Sequence, residues 1–276
     1  MLSFDYSPAH DSEIVSYGAL TIKAVRDDSP QNPFEDWDCE PPLLVWYDGS
    51  LTEYGDGISE PLAALSDWHI SRRWRDIAAA LDIKPETVEA EARDRAKGER
   101  MADFRRDYFE SALGEMRPSR YGGSGADYLS ALAKLWEIAG VVALDSCSRG
   151  YSQGDYADVL AVALPAWADK VGAPRESHAR QLESAVKLYG AWAWGDVYGY
   201  VIEGPDGETL DSCWGYYGSD HDESGLAEAA ESAAESIYAA ARKRKGERLK
   251  ELIRNRVPVA LRPALLAEAA TLKGVY

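Results

Sequence analysis

Three cysteines, at Cys39, Cys147 and Cys213, are too few and too scattered for a disulfide framework in this 276-residue chain. They point to a reducing, cytoplasmic setting. Histidine is equally scarce, with four residues, and no pair of cysteines or histidines stands at C-x2-C or H-x3-H spacing. Structural zinc sites usually carry such pairs, so neither metal nor cofactor is expected. No run of 18 apolar residues occurs, which excludes a membrane-spanning helix. The opening MLSFDYSPAHDSE lacks both a basic stretch and an apolar core, and no secretory signal is expected. Positive charge is the last deficit: 30 Lys and Arg face 47 Asp and Glu, for a net charge of −17.

That imbalance is unevenly distributed. Residues 1–69 hold 14 acids against 2 bases and residues 121–224 hold 16 against 6, whereas 70–120 is close to neutral at +1 and 225–276 is +4. A surface this acidic repels nucleic acid and anionic membranes and attracts basic protein surfaces. It also serves solubility, and the two roles are not separated by composition.

The chain mixes β-rich runs with helical periodicity. EIVSYGALTIKAVR (13–26) reads as a strand, an acidic proline-bearing loop follows over 27–42, and LLVWYDGSLTEY reads as two strands around Asp48-Gly49. Residues 59–118 form a helical insertion, with Pro85 opening one long charged helix. MRPSRYGGSG is a linker, and ADYLSALAKLWEIAG is a helix closed by Gly140. Two β-runs, VVALDSCS and YADVLAVALP, precede the helices AWADKVG and RESHARQLESAVKLYGAWAW. Residues 196–217 read as a hairpin turning at Gly204-Pro205-Asp206-Gly207. An alanine-rich helix, basic in its second half, runs from about Leu226 to Arg256, where Pro258 stops it. The expected class is α+β, with antiparallel hairpins and packed helices. Composition suggests three segments: 1–58, 59–120 and 121–276.

LDSC occurs twice, at Leu144–Cys147 and Leu210–Cys213. On a strand, Asp145 shares a face with Cys147, and Asp211 with Cys213. A neighbouring carboxylate raises a thiol pKa, so neither cysteine suits nucleophilic catalysis. The copies read as strand ends feeding Gly-Tyr turns, neighbours in one sheet. SRGYSQGDYADV then crowds Arg149, Tyr151, Gln153 and Asp155 into a glycine-bearing turn, a candidate ligand loop. His221, between Asp220 and Asp222, reads as part of an exposed acidic turn. The aromatics Trp192, Trp194, Tyr198, Tyr200, Trp214, Tyr216 and Tyr217 read as core or as an interface.

WRDIAAALDIKPETVEAEARDR resembles the helix-turn-helix of bacterial regulators over some twenty residues. Its would-be recognition helix carries Glu86, Glu89, Glu91 and Asp94, which phosphate repels, so it reads as a helical hairpin without DNA contact. RGYSQGDYADV and YGYVIEGPDGETLDSCWGYYG resemble stretches of uncharacterised bacteriophage and mobile-element proteins, across roughly residues 140–220. That resemblance implies an anti-defence context, of anti-CRISPR or anti-restriction type, and transfers no catalytic residues.

The expectation is a non-enzymatic acidic inhibitor that imitates DNA and occupies the basic surface of a host nucleic-acid-binding protein, in the host cytoplasm. It would touch neither nucleic acid nor membrane directly, and its oligomeric state is open. The candidate contact residues are Asp27, Asp28, Glu35, Asp36, Asp38 and Glu40, then Asp220, Asp222 and Glu223. The alternative is an enzyme acting on a nucleotide-like or phosphorylated ligand. Arg149 would clamp the anion within the Arg149–Asp155 loop, and Asp145 or Asp211 would move a proton.

Overall fold

The computed structural model describes residues 2–7, 12–36, 40–47, 49–95, 100–119, 124–149 and 156–265. In chain order the strands are β1 (Asp5–Ser7), β2 (Ser12–Tyr17), β3 (Leu20–Arg26), β4 (Leu43–Tyr47), β5 (Ser50–Tyr54), β6 (Ala143–Arg149), β7 (Tyr156–Val162), β8 (Val197–Glu203) and β9 (Thr209–Tyr217). The helices are α1 (Pro33–Asp36), α2 (Pro61–Ala64), α3 (Asp67–Arg72), α4 (Trp74–Ala80), α5 (Pro85–Arg95), α6 (Met101–Met116), α7 (Gly125–Ile138), α8 (Pro165–Val171), α9 (Arg175–Ala193) and α10 (Leu226–Arg256). Every strand pairing is antiparallel, and the fold is α+β. No helix among the described residues is long and apolar enough to cross a membrane.

Two compact units result: Met1–Pro30 with Asp196–Tyr276, and Gln31–Gly195. The second unit is an insertion in the first. Its entry and exit are held together by β3 and β8, which pair from Thr21 with Glu203 to Arg26 with Tyr198. The Asp27 amide donates to the Val197 carbonyl at 2.8 Å, and Arg26 pairs with Asp196 at 2.6 Å. The composition changes at 58 and 120 thus fall inside the inserted unit and do not mark its borders. Pairing of segments some 170 residues apart decides the division, and composition carries no trace of it.

The discontinuous unit is a five-stranded sheet, β1-β2-β3-β8-β9, with α10 across one face. The stretch 13–26 is a hairpin and not one strand: Gly18, at φ 62°, supplies the left-handed residue that a tight reversal needs. Strand alternation puts Leu20, Ile22, Ala24, Tyr200 and Ile202 on the face under Leu226, Ala230 and Ala234 of α10. The Tyr238 hydroxyl then clamps the β2–β3 turn, donating to the Tyr17 carbonyl at 3.0 Å and accepting from the Ala19 amide at 2.6 Å. Tyr238→Phe strips both partners at once and should cost about 1–3 kcal/mol in denaturant unfolding. A cost within error of zero would show that water replaces the hydroxyl there.

The inserted unit is built on a four-stranded sheet, β5-β4-β7-β6, covered on both faces. Leu43, Val45, Val159 and Ala161 pack on Trp167 of α8 and on Leu182 and Tyr189 of α9. The alternate residues Leu44, Leu160 and Val162 pack on α7, behind which lie Ile77 of α4 and Phe109 of α6. A strand buried on both faces reads as a continuous apolar run, as LLVWY and VLAV do. Trp136 of α7 donates its indole N–H to the Ile58 carbonyl at 2.9 Å. Arg106 of α6 donates to the Leu62 and Leu65 carbonyls at the end of α2, at 2.8 and 2.9 Å.

The helical insertion over about 59–118 is present, divided more finely than its periodicity indicated. Five helices, α2 to α6, occupy it, and the long helix expected after Pro85 is two helices packed on each other, α5 and α6. Lys97-Gly98 lies between them in sequence, where glycine costs roughly 1 kcal/mol in a helix interior. Helices α4 and α5 do form the expected hairpin, turning through Asp82 at φ 54°, a left-handed conformation that aspartate tolerates.

Candidate functional site

The two LDSC copies lie in different sheets. The first is in β6, an edge strand of the inserted unit, and the second is in β9, an edge strand of the other unit. They are not neighbours, and the second is not a strand end, since β9 continues to Tyr217. Alternation holds within each copy. Cys147 is registered with Asp158 and Asp145 with Leu160, while Cys213 is registered with Tyr200 and Asp211 with Ile202. What the copies share is an edge position, where one side of the backbone lacks a sheet partner.

At the β6–β7 end the structure adds a carboxylate that sequence spacing did not single out. Asp158 stands on the Asp145 side of the sheet, the side facing α7, with Ser130 and Lys134 of that helix nearby. Asp145 is exposed as a residue, but partial desolvation of its carboxyl beside α7 still holds it above its ordinary range, and the charge of Asp158 pushes it further. The Ser130 hydroxyl and the Lys134 ammonium oppose that rise. A carboxyl with a raised folded pKa stabilises the fold at pH below the unfolded value, and the benefit is lost as pH rises through the folded value. Asp145→Asn should therefore raise the melting temperature near neutral pH, with the gain fading below the carboxylate range. A lower melting temperature at neutral pH would show that Ser130 and Lys134 outweigh burial. Arg149 ends β6 opposite Tyr156, and Tyr151, Gln153 and Asp155 lie outside the described residues.

The acids expected in one loop over 27–42 are divided between the two units and are not one continuous loop. Asp27 and Asp28 belong to the first, and Glu35 and Asp36 sit on α1 of the second. Asp27 is half-buried, and its carboxylate accepts from the Ser29 amide at 2.9 Å, which closes its own turn. Glu40 is half-buried, and burial raises its pKa. Asp38 lies outside the described residues, while Asp28 and Glu35 are exposed. Ahead of α10, Asp220 accepts from the amides of Asp222 and Glu223 at 2.9 and 3.0 Å, and these bonds hold its carboxyl below the ordinary range. Asp222 and Glu223 are exposed.

His221 is buried at 9% exposure, contrary to the exposed turn expected of it. Its Nε2 lies 2.8 Å from a Glu13 carboxylate oxygen, and its ring meets Phe4 and Tyr198 edge-on. A partner 208 residues away leaves no local signal in the sequence. Among the described residues no group of His, Cys, Asp and Glu is placed to hold a metal ion.

The aromatic set resolves into core and surface. Tyr200 is buried and Trp192 half-buried, while Trp194 and Trp214 are 38% and 47% exposed. Trp214 lies over Gly199 of β8, where any side chain would collide with the indole. With Leu210 at 44% exposure, it gives edge strand β9 an apolar surface that alternation alone did not disclose.

The chain matches no family model, no curated protein and no solved structure.

Proposed function

We propose that this protein is an acidic inhibitor of phage type that binds and blocks a nucleic-acid-binding host defence complex in the host cytoplasm. The observation that carries the reading is an excess of carboxylate that the fold itself does not consume. The net charge is −17, and Asp28, Glu35, Asp222 and Glu223 are exposed without an ion pair among the described residues. Exposed acids that stabilise nothing internally remain available to a basic groove, where they stand in for phosphates. Asp27 and Asp220 are engaged by nearby backbone amides and Glu40 is half-buried, so these three are less available than the exposed acids. The resemblance over residues 140–220 to phage proteins supplies the biological setting.

Charge-driven capture is screened within about 8 Å at physiological ionic strength. A host-lysate pull-down across a salt series should therefore show a basic, nucleic-acid-binding partner at low salt that is released at high salt. Reversing Asp28, Glu35, Asp222 and Glu223 to Lys should abolish that capture while leaving the fold intact. Capture insensitive to both salt and reversal would sink the reading.

A second reading keeps the Asp145 end of β6 as an acid/base site acting on a phosphorylated ligand. It is favoured by one observation, the raised carboxyl of Asp145 beside Asp158. Asp145→Asn separates the two readings, since it should leave partner capture unchanged and abolish any turnover.

A further inference from the structure

Helix α10 changes character partway along. From Leu226 to Ala240 it carries three acids and no base, and its apolar side packs on the sheet as far as Tyr238. From Ala241 to Arg256 it carries eight bases against two acids. This second part contributes nothing to the apolar core of its own unit's sheet and runs on for roughly 24 Å at 1.5 Å per residue. Arg242, Lys243, Arg244, Arg248, Arg254 and Arg256 are exposed, and none makes an ion pair among the described residues. Of the two acids, Glu247 is held by Lys250 at 3.1 Å.

Ordinary roles for these bases do not suffice. The helix dipole favours cations only in the last turn, which accounts for Arg254 and Arg256 and not for Arg242 to Arg248. A chain at −17 needs no added cations for solubility. Among the described residues of Ala241–Arg256 only Ile253 is buried, so this polar stretch draws little stability from packing and is marginal by itself.

We infer that the C-terminal half of α10 binds the phosphate backbone of duplex DNA, lying in the major groove. The distribution of the bases favours a groove over a flat partner. At about 100° per residue, those six side chains fall near 0°, 100°, 200°, 240°, 120° and 320°, so the widest gap is about 100°. A flat acidic protein surface reaches only one side of a helix. A major groove about 12 Å wide admits a helix and lines both of its flanks with phosphates. The deep, narrow major groove of duplex RNA does not admit it. The carboxylates on the rest of the chain oppose binding elsewhere, which restricts DNA to this arm. This inference stands apart from the inhibitor reading, because it requires no host protein. If both hold, the target is a nucleoprotein, with acids meeting its protein and α10 meeting its DNA, and direct DNA contact replaces the sequence-based expectation of none.

The test is fluorescence anisotropy of the intact protein with a labelled mixed-sequence 20-base-pair DNA duplex. Binding is expected at 50 mM salt, weakened about 100-fold at 200 mM if about four phosphates are neutralised. Arg242→Gln, Arg244→Gln and Arg248→Gln together should weaken it at least tenfold and flatten the salt slope. Glutamine is a good helix former, and circular dichroism should show the helix retained. Absence of binding at 50 mM, or binding unchanged in the triple variant, would overturn the inference. So would equal binding of an RNA duplex or poly-glutamate, or a triple variant that alters only self-association in sedimentation. The Asp28, Glu35, Asp222 and Glu223 reversal should leave arm-dependent DNA binding in place, so failure of the inhibitor reading is separately visible.

Discussion

Replacing Phe109 by alanine should lower the stability of the inserted unit by about 3–5 kcal/mol. Phe109 is fully buried on α6, in the cluster that joins α4, α6 and α7 to the sheet face bearing Leu160. The loss combines two effects: the transfer free energy of the phenyl ring, and a cavity that its neighbours fill only partly. Ile77, Leu129 and Leu132 share the buried cluster of Phe109, branched side chains on α4 and α7, both of which contact α6. Arg106, three residues earlier, ties α6 to the carbonyls of α2, which limits how far α6 can move inward. The cost therefore belongs at the upper end of the range. Guanidinium unfolding followed by tryptophan fluorescence reads it well, because eight of the nine tryptophans lie in Gln31–Gly195. A loss under about 1 kcal/mol would mean that the helices collapse onto the vacated space.

Ile22→Ala should do the corresponding damage in the discontinuous unit, at about 2–5 kcal/mol. Ile22 is fully buried at the centre of β3, registered with Val15 on one side and Ile202 on the other, in the cluster that includes Ala230 of α10. That cluster is smaller than those of the inserted unit and rich in alanine, so each branched side chain carries a larger share of the burial. Hydrogen exchange resolved by segment distinguishes the two variants. With Ile22→Ala, amides of β2, β3, β8 and the start of α10 should exchange faster, while those of β4, β7 and α7 keep their protection. Phe109→Ala should show the reverse. Uniform acceleration over the whole chain in both variants would show that the two cores unfold as one cooperative unit.

Much of the local architecture is legible in single residues. Gly-Pro-Asp-Gly marks the β8–β9 turn, Gly140 and Gly172 close α7 and α8, and the alanine-rich run to Pro258 delimits α10 at Leu226–Arg256. Alternation also puts Asp211 with Cys213 correctly, because side-chain direction on a strand repeats every two residues whatever the strand pairs with. Errors arise where a short local cue competes with a longer pattern. Tyr17-Gly18-Ala19 interrupts a run of β-formers and is a turn, and Lys97-Gly98 stands between two helices that share one periodic pattern.

The candidate site is less legible than the fold. Charge is visible by counting, but whether a carboxylate is free depends on partners: Asp220 bonds amides two and three residues on, whereas Glu13 meets a histidine 208 residues away. Asp158 beside Asp145 follows from the β6–β7 register, and the exposure of Trp214 from the edge position of β9.

The sequence by itself determined the α+β class, the strand faces, most helix limits and the acidic excess, because periodicity, turn chemistry and charge are properties of neighbouring residues. Only the tertiary structure decided that Gln31–Gly195 is inserted between β3 and β8, and that the two LDSC copies occupy edges of separate sheets. It likewise showed the basic half of α10 extending past the last residue that packs on the sheet. Which strands pair, and which surfaces stay uncovered, follows from contacts between segments far apart in the chain, and no single segment records its partner.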